Sequence, residues 1–274
     1  MKVLLIGASG FLGKTVYYKL QESGAEVLGT YHTNPVDGMQ QLDVFDIQRF
    51  HSLVETAQPD AIVWTVMNHS LEEEIAKNVM PKLCQYIGAT RFIFLSTSVA
   101  LEKNMSENVK PLIRTMDMYN YHYFNGKINS EKVIKKLKNY CIVRPGSIYG
   151  INPYGEMDVR SRILKEHVDV GEEYVRADNI IFSIVEVNEL ATAIVELISS
   201  DYIGILNISE EEPVSHFEFN KALCKVYSWD DSCLVQNQET ECIYYLDNTL
   251  RKRILHSEIV GKINQFLHVE RSSF

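Results

Sequence analysis

No stretch of this 274-residue chain approaches the roughly 18 consecutive apolar residues that a membrane span needs. Met1-Lys2 runs directly into Val3-Leu4-Leu5-Ile6 and a glycine turn, without the apolar stretch and small-residue cleavage site of a secretory leader. Cysteine is sparse. The five residues Cys84, Cys141, Cys224, Cys233 and Cys242 include no C-x-x-C pair, which argues against a zinc site or a disulfide framework. Scattered thiols fit a reducing compartment, so a cytoplasmic protein without a metal is expected. There is no long basic run, and the formal net charge of -9 does not draw nucleic acid to the chain. Repeats, low-complexity tracts and Pro/Gly/Ser-rich linkers are also missing.

What is present is a regular alternation of apolar runs and helical stretches. Strands are expected at 3–6, 26–30, 61–64, 91–96 and 140–144, and helices at 11–23, 46–57, 71–87 and 121–138. Strands apolar on both faces, alternating with helices, imply a parallel sheet covered on both sides. The second half is less regular. A loop-rich stretch is expected from Pro145 to about Val170, then a helix over 187–199 and a strand over 205–208. Ser215 opens a further helix with Glu218 at the capping-box position, and two short helices follow between 248 and 267. The expected class is α/β, a Rossmann-type doubly wound parallel sheet with a small C-terminal α/β lobe. The domains are set at 1–150 for the nucleotide and 151–274 for the substrate, with some strands and helices shared.

Gly7-Ala8-Ser9-Gly10-Phe11-Leu12-Gly13 follows a strand and opens a helix. The first glycine permits the tight turn, the second lets backbone approach a pyrophosphate, and the third lets helix and strand approach closely. The helix N-terminus offers N–H groups and partial positive charge to phosphate. Gly7, Ser9, Gly10, Phe11 and Leu12 are therefore candidates to hold NAD or NADP. At the end of the second strand, Tyr31 and His32 stand where NAD-binding chains carry a carboxylate for the ribose. Its absence favours NADP, with His32 a candidate cation for the 2′-phosphate. The absence of an arginine leaves NAD open.

Tyr123 and Lys127, four residues apart, share one helix face. An ammonium beside a phenol favours the phenolate, so Lys127 is expected to lower the Tyr123 pKa and fit it for proton transfer at a carbonyl oxygen. Ser96-Thr97-Ser98 ends the preceding strand, where hydroxyls of an open sheet meet ligands. A solvated helix face and a capping turn are the plain alternatives. His69, His122 and His216 read as structural or solvated, and Glu72-Glu73-Glu74 as acidic residues suited to a helix dipole, with no catalytic role.

Together these motifs resemble the extended short-chain dehydrogenase/reductase family, and within it the dTDP-4-dehydrorhamnose reductase and NAD-dependent epimerase branch. The resemblance spans nearly the whole chain. It runs through the glycine turn, Leu42-Asp43-Val44-Phe45-Asp46, Asn78, Ser96-Thr97, Tyr123-x-x-x-Lys127-x-x-x-Glu131, Arg144-Pro145-Gly146-Ser147-Ile148-Tyr149-Gly150 and Val214 to Phe219. It implies Thr97, Tyr123 and Lys127 as catalytic residues. It implies Asp43, Val44, Thr65 and Val66, with Tyr123 and Lys127, as further cofactor contacts, and Asn68, Ser98 and Ser147 as substrate contacts. The implied activity is reduction of a ketone on a nucleotide-linked sugar, with epimerisation or a non-catalytic NAD(P)-binding role as alternatives and a homodimer among the allowed assemblies. The chain departs from the branch at Glu241-Cys242-Ile243-Tyr244-Tyr245, which lacks the usual arginine-proline pair, and at Ser98, where the branch has aspartate.

Overall fold

The protein is described from a computed structural model covering residues 1–271, so the last three residues of the expected C-terminal lobe lie outside it. The first half runs β1 (Lys2–Ile6), α1 (Phe11–Glu22), β2 (Glu26–Tyr31), β3 (Gln40–Gln41), α2 (Ile47–Ala57) and β4 (Ala61–Trp64). A helical run follows as α3 (Glu72–Glu74), a π-helical segment (Ile75–Val79) and α4 (Met80–Ile87), then β5 (Arg91–Leu95), α5 (Tyr121–Ile134) and β6 (Tyr140–Pro145). The second half runs β7 (Ser147–Tyr149), α6 (Val159–Val170), β8 (Tyr174–Ala177), β9 (Ile180–Phe182), β10 (Ile184–Glu186), α7 (Val187–Ile198) and β11 (Gly204–Ile208). It ends with β12 (Val214–Ser215), α8 (His216–Tyr227), β13 (Leu234–Asn237), β14 (Cys242–Tyr244), α9 (Arg251–Ile254) and α10 (Asn264–Arg271).

The central sheet has seven strands in the order β11-β6-β5-β4-β1-β2-β3. Pairings from β1 to β6 are parallel, with Leu5 opposite Gly29 on one side and Val63 on the other. This is the expected Rossmann-type doubly wound sheet. Strand order reverses between β1 and β4, and ligands of such sheets bind outside the carboxyl ends at that point. The centre strands are apolar because both faces are covered: every residue of β4 and β5 is buried. Trp64, Phe92, Phe94 and Phe50 are fully enclosed, each contributing about 1.5–3 kcal/mol by leaving water.

By contacts the chain gathers into two compact units. The first comprises residues 1–99, 109–144 and 191–206, and the second 100–108, 145–190 and 207 onward. In the second, short sheets β10-β7, β12-β9-β14 and β13-β8 surround a core of Tyr149, Leu164, Phe182, Phe219, Leu223 and Ile263.

Three expectations are corrected. The stretch 145–170 is not loop-rich, since it holds β7 and α6. Asp158 caps α6 through the N–H groups of Arg160 and Ser161, and Gly171 closes it at φ +68. The run 71–87 is not one regular helix. Pro81, at the start of α4, has no N–H to give to the carbonyl four residues back, and the turn just before it widens to π spacing. The helix expected to reach 138 ends at Ile134, where Lys136 and Leu137 turn back to Val133 and Ile134.

Candidate active site

The glycine turn sits at the carboxyl end of β1, next to the point of strand reversal. Gly7 has φ +86, a conformation side-chain-bearing residues rarely adopt. A Cβ on Gly13 would overlap the Gly7 carbonyl oxygen, so α1 lies closer to β1 than any other residue allows. Two hydroxyls fix the turn from the neighbouring strands. The Gly7 N–H donates to Thr30 Oγ1 at 3.1 Å, and Thr65 Oγ1 donates to the carbonyls of Ile6 at 3.0 Å and Gly7 at 3.2 Å. Thr65 thus acts on the turn's shape, and Thr30, which sequence reasoning missed, does the same from the other side. Gly10 is the N-cap of α1 and no side chain caps the helix. Unpaired N–H groups at Phe11 and Leu12 with close backbone form a cradle that fits a pyrophosphate. Ser9 is half-buried within it.

Beyond β2, the Tyr31 carbonyl accepts the Leu42 N–H at 2.9 Å, which brings the segment Leu42-Asp43-Val44 beside the strand end. His32 Nε2 lies 3.9 Å from Asp43 Oδ2, both exposed. A carboxylate eleven residues on from His32 thus stands beside it at the end of β2.

The helix α5 carries Tyr123 and Lys127, and the end of β5 carries Thr97. The hydroxyls of Thr97 and Tyr123 are hydrogen-bonded. Lys127 is 1% exposed; its Nζ donates to the Val66 carbonyl at 2.8 Å and stands 3.1 Å from Glu72 Oε1. It also lies 4.9 Å from the centre of the Phe94 ring and 5.9 Å from that of Tyr123. The three residues that the Tyr-x-x-x-Lys and Ser-Thr motifs single out thus meet in the first unit, joined by Glu72. Glu72 was not foreseen as part of this group. Its position in the first turn of a helix explained the carboxylate without it.

Tyr123 departs from expectation in one respect. Its pKa is not lowered by Lys127 but pushed up to about 12. Burial of the phenol is the main cause; the Thr97 hydrogen bond pulls the other way, and the Glu72 carboxylate adds to the rise. At neutral pH Tyr123 is a phenol that can donate a proton.

Ser96 faces the other way. Its hydroxyl donates to Glu131 Oε1 at 2.7 Å, and Arg144 grips the same carboxylate through Nε at 2.9 Å and Nη2 at 2.6 Å. Glu131 and Arg144 are each 1% exposed. The network ties α5 to β5 and β6 and fixes the height of Tyr123. Glu131→Gln leaves a buried guanidinium without its counter-charge, so about 3 kcal/mol of stability should be lost. A denaturation midpoint that implies a loss below about 1 kcal/mol would contradict the assignment.

Asn68 spends its side-chain oxygen on the N–H groups of Ser70 and Leu71, at 3.1 and 3.0 Å, while its own N–H donates to Glu72 Oε1 at 3.0 Å. Val66 offers its carbonyl to Lys127. Asn78 is exposed on the π-helical segment. Ser98 is half-buried beyond Thr97, and Ser147 lies in the second unit, its N–H bonded to the Ser183 carbonyl at 2.8 Å. The His69 ring is 5.4 Å from that of Tyr123, and His122 Nδ1 meets Glu73 at 2.5 Å. In the second unit, Arg160 and Arg176 lie over the rings of Phe182 and Tyr174. Their charges, after burial, help hold His216 down at about 4. Among the described residues no cluster of His, Cys, Asp or Glu is arranged to hold a metal, and no helix is long and apolar enough to cross a membrane.

A family model described as the NAD dependent epimerase/dehydratase family matches residues 3–200. Comparison of the sequence with curated proteins finds no match. Among solved structures, the chain is similar to a hypothetical dTDP-4-dehydrorhamnose reductase from Sulfolobus tokodaii, with TM-score 0.78 and 19% identity over 95% of this chain and 97% of that one. It is similar to a UDP-glucose 4-epimerase from Thermotoga maritima solved with UDP-glucose, with TM-score 0.77 and 19% identity over 99% of both chains. It also resembles a dTDP-4-dehydrorhamnose reductase from Bacillus anthracis in complex with NADP, with TM-score 0.76 and 17% identity over 100% of this chain and 99% of that one. At these identities the likeness is one of fold.

Proposed function

The chain belongs to the NAD dependent epimerase/dehydratase family, and on that premise we propose that it is an NAD(P)-dependent oxidoreductase that reduces a ketone on a nucleotide-linked sugar. One observation carries the reading: on one face of α5 the buried Lys127 Nζ stands 5.9 Å from the Tyr123 ring and 3.1 Å from Glu72, with Thr97 at the end of β5 as the phenol's side-chain neighbour. The glycine turn, whose close packing of α1 on β1 a Cβ at Gly13 would forbid, suits the cofactor's pyrophosphate. The cofactor, when bound, supplies the hydride. Gly7, Ser9, Gly10, Phe11 and Leu12 hold its phosphates, Tyr31, His32, Asp43 and Val44 its adenosine end, and Lys127 the ribose next to the nicotinamide. Thr97 hydrogen-bonds the substrate carbonyl oxygen, and the Tyr123 O–H gives that oxygen its proton. Fixing both hydroxyls on the ends of regular elements removes the entropy of assembling them. The second unit, in which Ser147 lies, is the substrate-binding part. Arg160 and Arg176 are cations suited to a diphosphate.

The test is a titration with NADPH and NADH, followed by cofactor fluorescence and melting temperature, since a ligand of the native state raises the latter with its concentration. NADPH consumption with dTDP- and UDP-linked 4-keto sugars comes next. Binding of neither cofactor overturns the reading. Binding without turnover of any keto-sugar removes the reductase and leaves a nucleotide-binding protein.

NADP is the cofactor favoured here. His32→Ala should weaken NADPH binding about three- to tenfold and leave NADH nearly unchanged, the effect of losing one exposed imidazole contact to a phosphate. Asp43→Asn should strengthen NADPH binding. Equal losses for both cofactors in His32→Ala would place His32 away from the 2′-phosphate.

A further inference from the structure

Glu72 is fully buried, 0% exposed, in the first turn of α3. Its Oε1 faces Lys127 Nζ at 3.1 Å and accepts the Asn68 N–H at 3.0 Å, while Oε2 has no hydrogen-bond partner. The approach is built into α5. A Cβ on Gly126 would overlap the Glu72 backbone and Cβ, so the residue beside Lys127 has no side chain and α3 comes against α5 at that point. A helix-interior glycine costs about 1 kcal/mol relative to alanine, a cost that this close approach explains. A buried carboxylate with an oxygen to spare is not a capping residue; the helix dipole requires no burial.

Lone, the Lys127 ammonium 5.9 Å from the Tyr123 ring would favour a phenolate. Paired with a carboxylate it presents a dipole, whose field falls off far faster. We propose that Glu72 is a positioning residue that cancels the Lys127 charge at Tyr123 and thereby keeps Tyr123 a proton donor. The inference rests on the reductase reading and sets its direction. In reduction the carbonyl carbon takes a hydride from the reduced nicotinamide, and the oxygen takes the Tyr123 proton. The phenolate left behind regains a proton from water. Alcohol oxidation, with which epimerisation begins, needs the phenolate at the outset, and the Glu72–Lys127 pair opposes it. The other groups facing Tyr123 are the Thr97 hydroxyl from the end of β5 and the His69 ring, itself held by Asn120 Nδ2 at 2.7 Å. His122, next along α5, is matched by Glu73. The Glu72 contribution to the upward shift of Tyr123 agrees with this geometry.

The experiment needs neither substrate nor cofactor. The full chain is labelled with [ζ-13C]tyrosine, the Tyr123 resonance is assigned by its loss in Tyr123→Phe, and its ionisation is followed with pH. In the unaltered protein Tyr123 should remain a phenol through pH 10. In Glu72→Gln its titration should fall by about one pH unit or more, the usual effect of an uncompensated neighbouring cation. In Glu72→Gln/Lys127→Met, where the pair is replaced by two neutral groups, it should return to the wild-type position. Identical titrations in wild type and Glu72→Gln overturn the proposal. So does a phenolate below pH 9 in the unaltered protein, which decides the matter even where Glu72→Gln does not fold. Failure of cofactor binding, by contrast, bears on the reductase reading alone.

Discussion

Tyr123→Phe is expected to lower kcat for ketone reduction by about 100- to 10,000-fold, the range supplied by a positioned general acid. Cofactor affinity should change little, because Lys127 and the glycine cradle are untouched. The phenylalanine ring keeps the volume of the phenol, and its stacking with His69 and Phe124 survives. Only the hydroxyl that meets Thr97 is lost. The measurement is single-turnover oxidation of bound NADPH by a keto-sugar that the wild type accepts, so that product release cannot mask the chemical step. A loss smaller than about tenfold would mean that another group protonates the oxygen. Thr97→Val would then identify the hydroxyl next in reach.

Gly13→Ala is expected to have the second large effect. The added methyl meets the Gly7 carbonyl oxygen and carbon and the Ala8 Cα, all backbone, none of which can rotate away. To admit it, α1 must move off β1, at a cost of about 1–3 kcal/mol for forced overpacking. The same displacement carries the N–H groups of Phe11 and Leu12 out of register, so NADPH affinity should fall by well over tenfold. Gly10→Ala provides the contrast. A Cβ there meets only the Gly7 carbonyl oxygen at 3.4 Å, an ordinary contact, so stability should be nearly preserved. Its effect, if the cradle faces the pyrophosphate, should appear in cofactor affinity alone. Equal destabilisation by the two substitutions would contradict the closeness of α1 to β1.

The sheet and the cradle could be read before any coordinates because their signals are local and redundant. Two-sided apolar strands recur at regular spacing, and three glycines fall within seven residues between a strand and a helix. Helical spacing placed Tyr123 and Lys127 on one face, while the resemblance to the family supplied their role. Glu72 was not: 55 positions separate it from Lys127, and nothing in a run of three glutamates says which one faces inward. The signal that existed was Gly126, a glycine inside an otherwise sound helix, which marks a close crossing without naming the partner. Ser96 and Thr97 were both plausible hydroxyls. The turn of one residue along the strand sends Ser96 to Glu131 and Arg144 and leaves Thr97 for Tyr123. The strands of the second unit, mostly two to four residues long, are too short to show alternation. The helix α6 was hidden by its polar sequence, although Asp158 and Gly171 stood at its ends.

The sheet carries a consequence for how this chain is made. The first part of its edge strand β11 and most of α7 belong to the first unit, yet they are encoded after residue 190. Arg91, 5% exposed on β5, donates to the Leu197 carbonyl at 3.0 and 3.3 Å and has no such acceptor until that residue exists. A growing chain therefore emerges from the ribosome with the β6 edge open for some 60 residues of synthesis. By then the two hydroxyls that fix the glycine turn, those of Thr30 and Thr65, are already in the chain.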